Sequence, residues 1–423
     1  MKQRPLLHGE HLPPRIAYQK LFAFLPRLPF TAGRGRPRTD PNALLRCFVY
    51  RCLRRLPTLS DLTFALAENP SLVEAVGFDP LRPLPSLERF SAWMRTTPNA
   101  TLQRLRLALV GRLLQTGAIS GETVALDSCP VPAPVRQNNL KTSVKDRFNK
   151  ERFPTNDPQA RLGVYRSYAS PTRNIAYFWG YRNHVAVDFH SELPLLEQTH
   201  PANQHENRFA IPLLTACSQQ LSLPLRVVCA DSAYDTEKIL AFIIQQLGAQ
   251  PVIAPNARYQ PNSDFRVQGQ NVICPANLEM APRGRMTPKK TGITYKQFSC
   301  PLYYRKQTLQ RYLICPANHP KFFSQKGCNY LLRLHPSWRS HIDPTSSDFA
   351  THYKKRTSVE RLFSRLLALV MQQPTVRGLA AIRNHCTIAH ISVLLVATAA
   401  HHLGHPDKLA FVRSFVPNFL IDP

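Results

Sequence analysis

The chain has 423 residues and carries 54 lysines and arginines against 26 aspartates and glutamates, for a formal net charge of +28. So large a positive excess indicates a polyanionic partner, of which nucleic acid is the simplest. A basic surface that is merely solvated is the other interpretation. A hydrophobic fraction of 43% excludes a largely disordered chain, and the length allows two or three domains with a real core.

Cysteine usage and apolar stretches bear on the compartment. Ten cysteines in a chain of this length do not form a small disulfide framework, so we expect reduced thiols in a cytosol-like environment. The N-terminus has no apolar signal core, and the apolar stretch from Ile391 to Ala400 is too short to span a bilayer. We therefore expect a cytoplasmic protein without a membrane partner.

Residues 1–119 are predicted to form an all-α domain. Asp40 followed by Pro41 is a typical helix start, with an N-cap residue and proline at the first helical position. Short helices with basic faces suit DNA binding, while an ordinary helical accessory domain is the alternative. Further N-caps are expected at Thr58 or Ser60 and at Ser86.

A short basic segment precedes the first of these capped helices. Arg34, Arg36 and Arg38 alternate with glycine and proline, and arginines on such a backbone can enter a narrow minor groove. The segment is therefore a candidate DNA-binding arm. A basic linker that only leads into the helix explains the same six residues.

From about residue 120 the pattern changes to strands alternating with helices. Three strands, a helix, a strand, a helix and a strand are predicted within residues 120–255, and a further helix follows within 346–423. This is the element order of an α/β RNase H-like catalytic core. Residues 256–345 interrupt it as a cysteine-containing insertion. The basic stretch 136–173 is expected to be a loop near DNA.

Three acidic residues are candidates for a common site. Asp127 and Asp231 each end a short apolar run of strand length, and Glu360 lies in a segment with helical spacing of its apolar residues. Three such carboxylates can hold two divalent cations that activate a nucleophile and stabilise the leaving oxygen in phosphodiester chemistry. Surface carboxylates and helix caps are the alternative interpretation.

The insertion contains four cysteines within about fifty-five residues. Such a group can bind zinc, with His319 as a further ligand, but it contains no Cys-x-x-Cys pair. Buried cysteines without a metal are the alternative. The four residues are Cys274, Cys300, Cys315 and Cys328.

Three strings in the chain carry a family resemblance. Asp231–Tyr234 has the pattern Asp, any residue, Gly or Ala, Tyr or Phe. Tyr353, Arg356 and Glu360 have the spacing Tyr, two residues, Arg, three residues, Glu. With the segment 180–206 between the first two acids, these strings resemble insertion-sequence transposases of the DDE type, in the group with the Tyr-Arg-Glu signature.

The resemblance implies a site and its cofactor. Asp127, Asp231 and Glu360 would be the catalytic residues and the ligands of two Mg²⁺ ions, for which Mn²⁺ would substitute. Contacts with DNA phosphates would come from Tyr353, Arg356, Arg361 and Arg365, although helix packing and surface solvation explain the same residue types. One position departs from the family pattern, because Leu367 stands where a lysine is expected seven residues after the glutamate.

The resemblance also implies a function. The expected protein is a prokaryotic, nucleoid-associated transposase that binds terminal inverted repeats of double-stranded DNA as a homodimer, cleaves the element ends and joins them to target DNA. A transposase-derived DNA-binding protein without cleavage activity is the first alternative. A nuclease that cleaves without joining and a zinc-binding regulator are the others.

Overall fold

A computed structural model of the protein describes residues 14–30, 39–139, 141, 149, 151, 153–166, 175–256, 264–289, 293–304, 315–320, 327–354, 356–410 and 412. The chain divides into two compact units. The first comprises Met1–Ala254 and Thr345–Pro423, and the second is Pro255–Pro344. The predicted arm residues Arg34, Arg36 and Arg38 lie outside the described residues.

Six helices precede the first strand in the described part of the chain. Local sequence signals account for their starts: the Asp40 carboxylate accepts from the Asn42 backbone N–H at 2.9 Å, Thr58 forms a capping box with Asp61, and Ser86 caps the fifth helix. The predicted caps are therefore confirmed. The helices are α1 (Pro14–Ala23), α2 (Pro41–Leu53), α3 (Leu59–Ala67), α4 (Pro70–Val76), α5 (Leu87–Thr96) and α6 (Asn99–Gln115).

A six-stranded mixed sheet follows these helices. Its path of hydrogen-bonded neighbours runs β2-β3-β1-β5-β6, and β4 pairs with the other half of the long strand β3. Strand β1 is antiparallel to β3 and parallel to β5, which is parallel to β6. The strands are β1 (Thr123–Pro132), β2 (Arg161–Arg166), β3 (Ile175–Asp188), β4 (Pro194–Pro201), β5 (Val227–Ala230) and β6 (Gln250–Ile253).

The sheet differs from expectation in two places. The apolar run that ends at Asp127 is only the first half of β1, because pairing with β3 continues to Pro132 opposite Gly180. The stretch predicted to be a loop contains β2, whose place in the sheet comes from pairing with β3 rather than from its own hydrophobicity. The segment 180–206, which carries part of the family resemblance, contains the antiparallel pairing of β3 with β4.

Gly180 lies where β1 and β3 approach closely. A Cβ atom at this position would collide with the carbonyl oxygen of Val131 and would lie 2.8 Å from the backbone nitrogen of Ala133. Only glycine therefore fits this register without moving backbone atoms.

Helices connect the later strands of the sheet. Helix α7 (Asn207–Gln219) joins β4 to β5, and α8 (Glu237–Ala241) continues into a π-helical segment, Phe242–Gln246, before β6. The side chain of Thr236 accepts from the Ile239 backbone N–H at 3.3 Å and caps α8. The sequence favours Asp235 as the cap of this helix, but the cap is Thr236, one residue later.

The described residues in the C-terminal part of the first unit form three α-helices: α10 (Ser347–Lys354), α11 (Thr357–Ala368) and α12 (Leu379–His402). The chain re-enters this unit beside β6, because the Gln250 amide donates to the Asp348 carboxylate at 2.9 Å. The insertion therefore leaves and rejoins the first unit at neighbouring positions.

Helix α12 packs against α2, α5 and α6 and against β4. By length and composition it is long enough to cross a membrane, in contrast to the expectation from the shorter apolar stretch, but most of it is buried inside the protein. Asn384 ties it to the N-terminal helices by donating to the carbonyl oxygens of Met94 at 2.9 Å and Thr97 at 2.8 Å. It is the central core helix of this unit.

The second unit has its own small core. Cys274, Cys300, Cys315 and Cys328 are all buried in that core beside Phe265 and Phe298, and the Cys328 sulfur lies 3.4 Å from Nδ1 of His319. Within the described residues, no three potential ligands gather closely enough to hold a metal ion, so the zinc site stays a prediction. The unit contains strands β7 (Arg266–Gln268), β8 (Asn271–Ile273), β9 (Ala281–Met286), β10 (Tyr295–Ser299) and β11 (Asn329–Arg333) and helix α9 (Pro301–Tyr304).

Candidate active site

Asp127 and Asp231 lie side by side on neighbouring parallel strands. The last residue pair in the β1–β5 register is Leu126 opposite Ala230, so Asp127 is the next residue of β1 and Asp231 is the residue that follows the end of β5. Parallel strands are about 4.8 Å apart, which brings the two carboxylates to one place at the edge of this pairing. The register brings these two residues together, and their role as catalytic acids stays a prediction.

The surroundings of the aspartates disfavour their charged forms. Burial, the neighbouring Asp231 and the charge of Glu206 raise the pKa of Asp127 to about 7. Burial and Glu206 also raise the pKa of Asp231, whose side chain accepts from the Ala233 backbone N–H at 2.9 Å. The pair therefore carries negative charge that the protein only partly compensates.

Arg356 supplies part of that compensation. Its Nη1 lies 3.5 Å from Oδ2 of Asp127, and its Nη2 donates to Oε1 of Glu360 at 2.7 Å. Burial alone would lower the pKa of Arg356, but the carboxylates of Asp127 and Glu360 raise it above its ordinary value. Glu360 is thus on α11 as predicted and is connected to Asp127 through this guanidinium group.

Tyr353 belongs to a different helix from Glu360. The seven-residue spacing from Tyr353 to Glu360 predicts one continuous helical face. That prediction is wrong, because helix α10 ends at Lys354 and α11 begins at Thr357. The guanidinium carbon of Arg356 lies 5.9 Å from the centre of the Tyr353 ring, which keeps the tyrosine at the site by a cation–π contact.

Arg361 and Arg365 both pair with Glu192, in the turn between β3 and β4. The two guanidinium groups donate to the two carboxylate oxygens, and Arg365 also donates to the Glu192 carbonyl oxygen at 3.0 Å. These bonds attach α11, and with it Glu360, to the β3–β4 hairpin. Sequence reasoning missed Glu192, and contacts of the two arginines with DNA phosphates stay a prediction.

Glu206 is a further acid at the site that sequence reasoning left without a role. Its Oε2 accepts from the Ser128 hydroxyl at 2.5 Å and lies 3.6 Å from Nη1 of Arg182. Arg182 in turn donates to the Ser128 hydroxyl at 3.0 Å. The signal was its position at the end of the segment 180–206, which the family resemblance had singled out.

The donor chemistry of the aspartate pair fits a hard divalent cation. Carboxylate oxygens are the ligands that Mg²⁺ prefers, and a cation would relieve the excess negative charge between Asp127 and Asp231. No group of three His, Cys, Asp or Glu side chains close enough for a metal occurs in the part of the chain described. Glu360 pairs with Arg356, and Glu206 accepts from the Ser128 hydroxyl.

The position expected to be lysine is open to solvent. Leu367 is 47% exposed on α11, seven residues and therefore about two helical turns after Glu360. A lysine here would extend from the same face of the helix as the glutamate, whereas leucine supplies no charge to it.

The fold and the site define a mixed α/β protein with paired aspartates at neighbouring parallel strands. The family model described as the transposase DDE domain matches residues 122–395, more than half of the chain. The chain therefore belongs to the DDE transposase family.

One similar solved structure is a cryo-EM structure of the piggyBac transposase synaptic complex with hairpin DNA. The two chains are 10% identical, the match covers 94% of this chain and 75% of that chain, and the TM-score is 0.36. No curated protein matches the chain.

Proposed function

We propose that the protein is a DNA transposase that binds the terminal inverted repeats of its element, cleaves the element ends and joins them to target DNA. The observation that carries this proposal is the register that brings Asp127 and Asp231 together on neighbouring parallel strands. Membership of the DDE transposase family supports it independently.

The proposed catalytic core is RNase H-like. Its support is a mixed sheet in which β4, β3, β1, β5 and β6 are neighbours in that order, with helices between the later strands. The remaining domains are proposed as predicted, with residues 1–119 as a DNA-binding helical domain and 256–345 as an insertion between the second and third acids. A cytoplasmic, nucleoid-associated location follows from this function.

Asp127, Asp231 and Glu360 would hold two Mg²⁺ ions, or Mn²⁺ in their place. When bound, the ions supply positive charge that activates the attacking oxygen and stabilises the leaving 3′-oxygen. In this structure Glu360 forms an ion pair with Arg356 at 2.7 Å. The proposal therefore requires Glu360 to leave Arg356 and to turn toward the two aspartates.

Arg356 provides the means for that exchange. A DNA phosphate at the site would compete with Glu360 for the guanidinium group, because arginine binds phosphate and carboxylate through the same fork of donors. The half-buried Arg356 would then orient the phosphate beside Asp127, and the released Glu360 would turn toward the aspartates. Tyr353, in contact with Arg356, would contact the same backbone.

The net charge of +28 supports binding of double-stranded DNA over many phosphates. Arg34, Arg36 and Arg38 are proposed as an arm in the minor groove, and Arg361 and Arg365 as phosphate contacts that would have to leave Glu192. A homodimer on DNA is proposed because an element has two ends to be cleaved.

A second candidate function is a transposase-derived DNA-binding protein without cleavage activity. The observation that favours it is Leu367, which leaves the glutamate face of α11 without the lysine expected in this family. Both candidates bind DNA, so cleavage distinguishes them.

The test uses a plasmid carrying the DNA that flanks the gene. Wild type, Asp127→Asn, Asp231→Asn and Glu360→Gln are compared with and without Mg²⁺ or Mn²⁺, and Glu122→Gln is the control for loss of an acid remote from the site. We expect metal-dependent nicks at the element ends, and joined products, only in wild type and the control.

Other outcomes of this test select other functions. Binding without cleavage in every variant would favour the DNA-binding derivative, and Leu367→Lys would then be tested for recovery of cleavage. Cleavage without joined products would favour a nuclease. Equal cleavage by wild type and Asp231→Asn would show that the proposed site is not the catalytic site.

A further inference from the structure

A cavity of about 310 Å³ lies beside strand β4 in the first unit. In the part of the chain that the structure describes, β4 pairs only with β3, which leaves its other edge for side chains. Residues from α6, β4, α7 and α12 line the cavity, and none of them belongs to the candidate active site. Its volume is at the lower end of the range of about 300–1,000 Å³ for small-molecule sites. The cavity therefore suits a small ligand.

Arg106 on α6 brings a buried positive charge to this cavity, because its side chain lines the wall and is only 1% exposed. Its Nε donates to Oε1 of Gln103 at 2.7 Å, and its Nη1 donates to the carbonyl oxygen of Leu195. Both acceptors are neutral. Burial lowers the pKa of Arg106 to about 10, and the charge of Glu197 offsets only part of this effect. A buried guanidinium group with neutral partners favours an anion beside it.

Glu197 is the one acid among the described residues that line the cavity. Its Oε1 accepts from the Thr387 hydroxyl at 2.6 Å and from the Gln103 amide, and its Oε2 accepts from the Asn183 amide at 2.7 Å. Neutral donors thus occupy both carboxylate oxygens. Within the described residues, Glu197 forms no ion pair with Arg106, so it compensates the arginine only from a distance.

Arg383 on α12 adds a second guanidinium group to the wall. Its Nε donates to the carbonyl oxygen of Thr199 at 3.0 Å, and among the described residues its two Nη groups make no hydrogen bond. Burial and Arg383 lower the pKa of His200 to about 4, and Arg208 lowers it further against an opposing effect of Glu197. His200 is therefore neutral, and the positive charges around the cavity outnumber its one carboxylate.

We infer that this cavity is an anion site that takes one phosphate group, held by Arg106 and Arg383 with the Gln198 amide as a neutral donor. Arginine suits this ligand because its fork of N–H donors matches the oxygens of a phosphate. The group belongs either to the backbone of bound DNA or to a free phosphate ion. The competing explanation is that the two arginines only cover the carbonyl oxygens on the edge of β4.

The experiment measures the binding of inorganic phosphate to the full-length protein, by calorimetry and by thermal unfolding at constant ionic strength. Arg383→Gln removes one guanidinium group, and Gln198→Glu adds a negative charge to the wall while keeping both arginines. We expect each variant to bind phosphate more weakly by more than about tenfold. Arg104→Gln is the matched control, because Arg104 is an exposed arginine of α6 that does not line the cavity. It should bind as wild type does.

Phosphate also stabilises proteins weakly because it is excluded from their surfaces, so the difference between variants decides the test. Arg383→Lys keeps the charge without the fork of donors, and its affinity should lie between those of wild type and Arg383→Gln. Equal stabilisation by phosphate in wild type and in either Arg383→Gln or Gln198→Glu would overturn the inference. If Arg383→Gln fails to fold, Gln198→Glu carries the test.

A DNA duplex without element ends identifies the source of the phosphate. If the group belongs to bound DNA, Arg383→Gln should lower the slope of log affinity against log salt by about one, and inorganic phosphate should compete with the duplex. If it is a free ion, wild type and Arg383→Gln should bind the duplex equally.

This inference is independent of the proposed cleavage chemistry, because the cavity and the aspartate pair share no residue. Asp231→Asn should therefore bind phosphate as wild type does. A wild type that binds phosphate in this way but cleaves no DNA would keep the anion site and contradict only the proposed function.

Discussion

The guanidinium group of Arg356 lies 3.5 Å from the carboxylate of Asp127 and so stands where a cation is needed. It also pairs with Glu360 at 2.7 Å, which makes one arginine the counterion of acids on a strand and on a helix. In the absence of a metal, this side chain limits the repulsion among the carboxylates of the site.

Arg356→Gln is therefore expected to destabilise the metal-free protein by about 1.5–3 kcal/mol, the range for losing hydrogen bonds to charged groups. Saturating Mn²⁺ should restore more stability to the variant than to wild type, because the ions replace the lost positive charge. The measurement is urea unfolding at pH 8 in EDTA and in Mn²⁺. Arg226→Gln, which removes an exposed arginine beside Glu122, is the control. Equal metal-free stability of wild type and Arg356→Gln would contradict this role.

Glu192 offers a second test, because it attaches α11 to the β3–β4 hairpin through Arg361 and Arg365. Glu192→Ala leaves the mostly buried Arg365 without its carboxylate partner, and we expect a loss of about 2–4 kcal/mol in the free energy of unfolding. Glu122→Ala removes an acid whose pair with Arg226 is exposed and should cost less than about 1 kcal/mol. The free energy of unfolding of both variants is measured in urea. Similar losses in Glu192→Ala and Glu122→Ala would show that the ion pairs of Glu192 do not attach α11 to the hairpin.

Two glycines form a matched pair for packing. Gly180→Ala forces backbone atoms of β1 and β3 apart, and we expect a loss of about 1–3 kcal/mol. Gly111 lies inside α6, and an added Cβ would have no atom within 4 Å apart from its chain neighbours and the backbone of its own helix. Gly111→Ala should therefore stabilise by about 0.5–1 kcal/mol. Thermal unfolding of the two variants checks the signs. A neutral Gly180→Ala would mean that the two strands do not pair in this register.

Stability should also depend on pH through buried histidines of α12. Burial lowers the pKa of His385 and of His390 to about 4, below the ordinary value near 6.5 expected in the unfolded chain. Between these values the unfolded chain binds protons that the folded protein does not, so both histidines reduce stability as the pH falls from about 7 toward 4. Above pH 7 both states are neutral, and these histidines contribute no pH dependence.

The variant His390→Gln isolates this effect. We expect a shallower fall in the free energy of unfolding between pH 7 and pH 5, by up to roughly 1.4 kcal/mol per pH unit where the proton difference is complete. The exposed His335 supplies the control variant, His335→Gln. An unchanged slope in His390→Gln would mean that His390 is not kept neutral by the fold.

Local signals explain why part of this structure follows from the sequence. The caps at Asp40, Thr58 and Ser86 involve neighbouring residues only, so the helix starts could be predicted. The aspartates could be placed together because an apolar run of strand length precedes each of them, although β1 continues past Asp127 to Pro132.

The remaining features depend on contacts between distant segments. Ser128 and Glu206 are 78 residues apart, and Arg365 and Glu192 are 173 apart, so no local pattern relates them. Strand β2 forms because it pairs with β3, and not because polar and apolar residues alternate strongly along it. The helical spacing of the sequence continues through Tyr353 and Glu360, so it does not predict the break between α10 and α11.

The hydrogen bond between Gln250 and Asp348 keeps the start and the end of the insertion close together. Since the two points where the insertion leaves and returns are neighbours, a folded insertion spans them as a short loop would, whatever its length. The entropy of closing a loop grows only slowly with the number of residues in it, and a compact unit reduces even that cost. A change in the length of this segment would therefore leave Asp231 and helix α11 in place relative to the sheet.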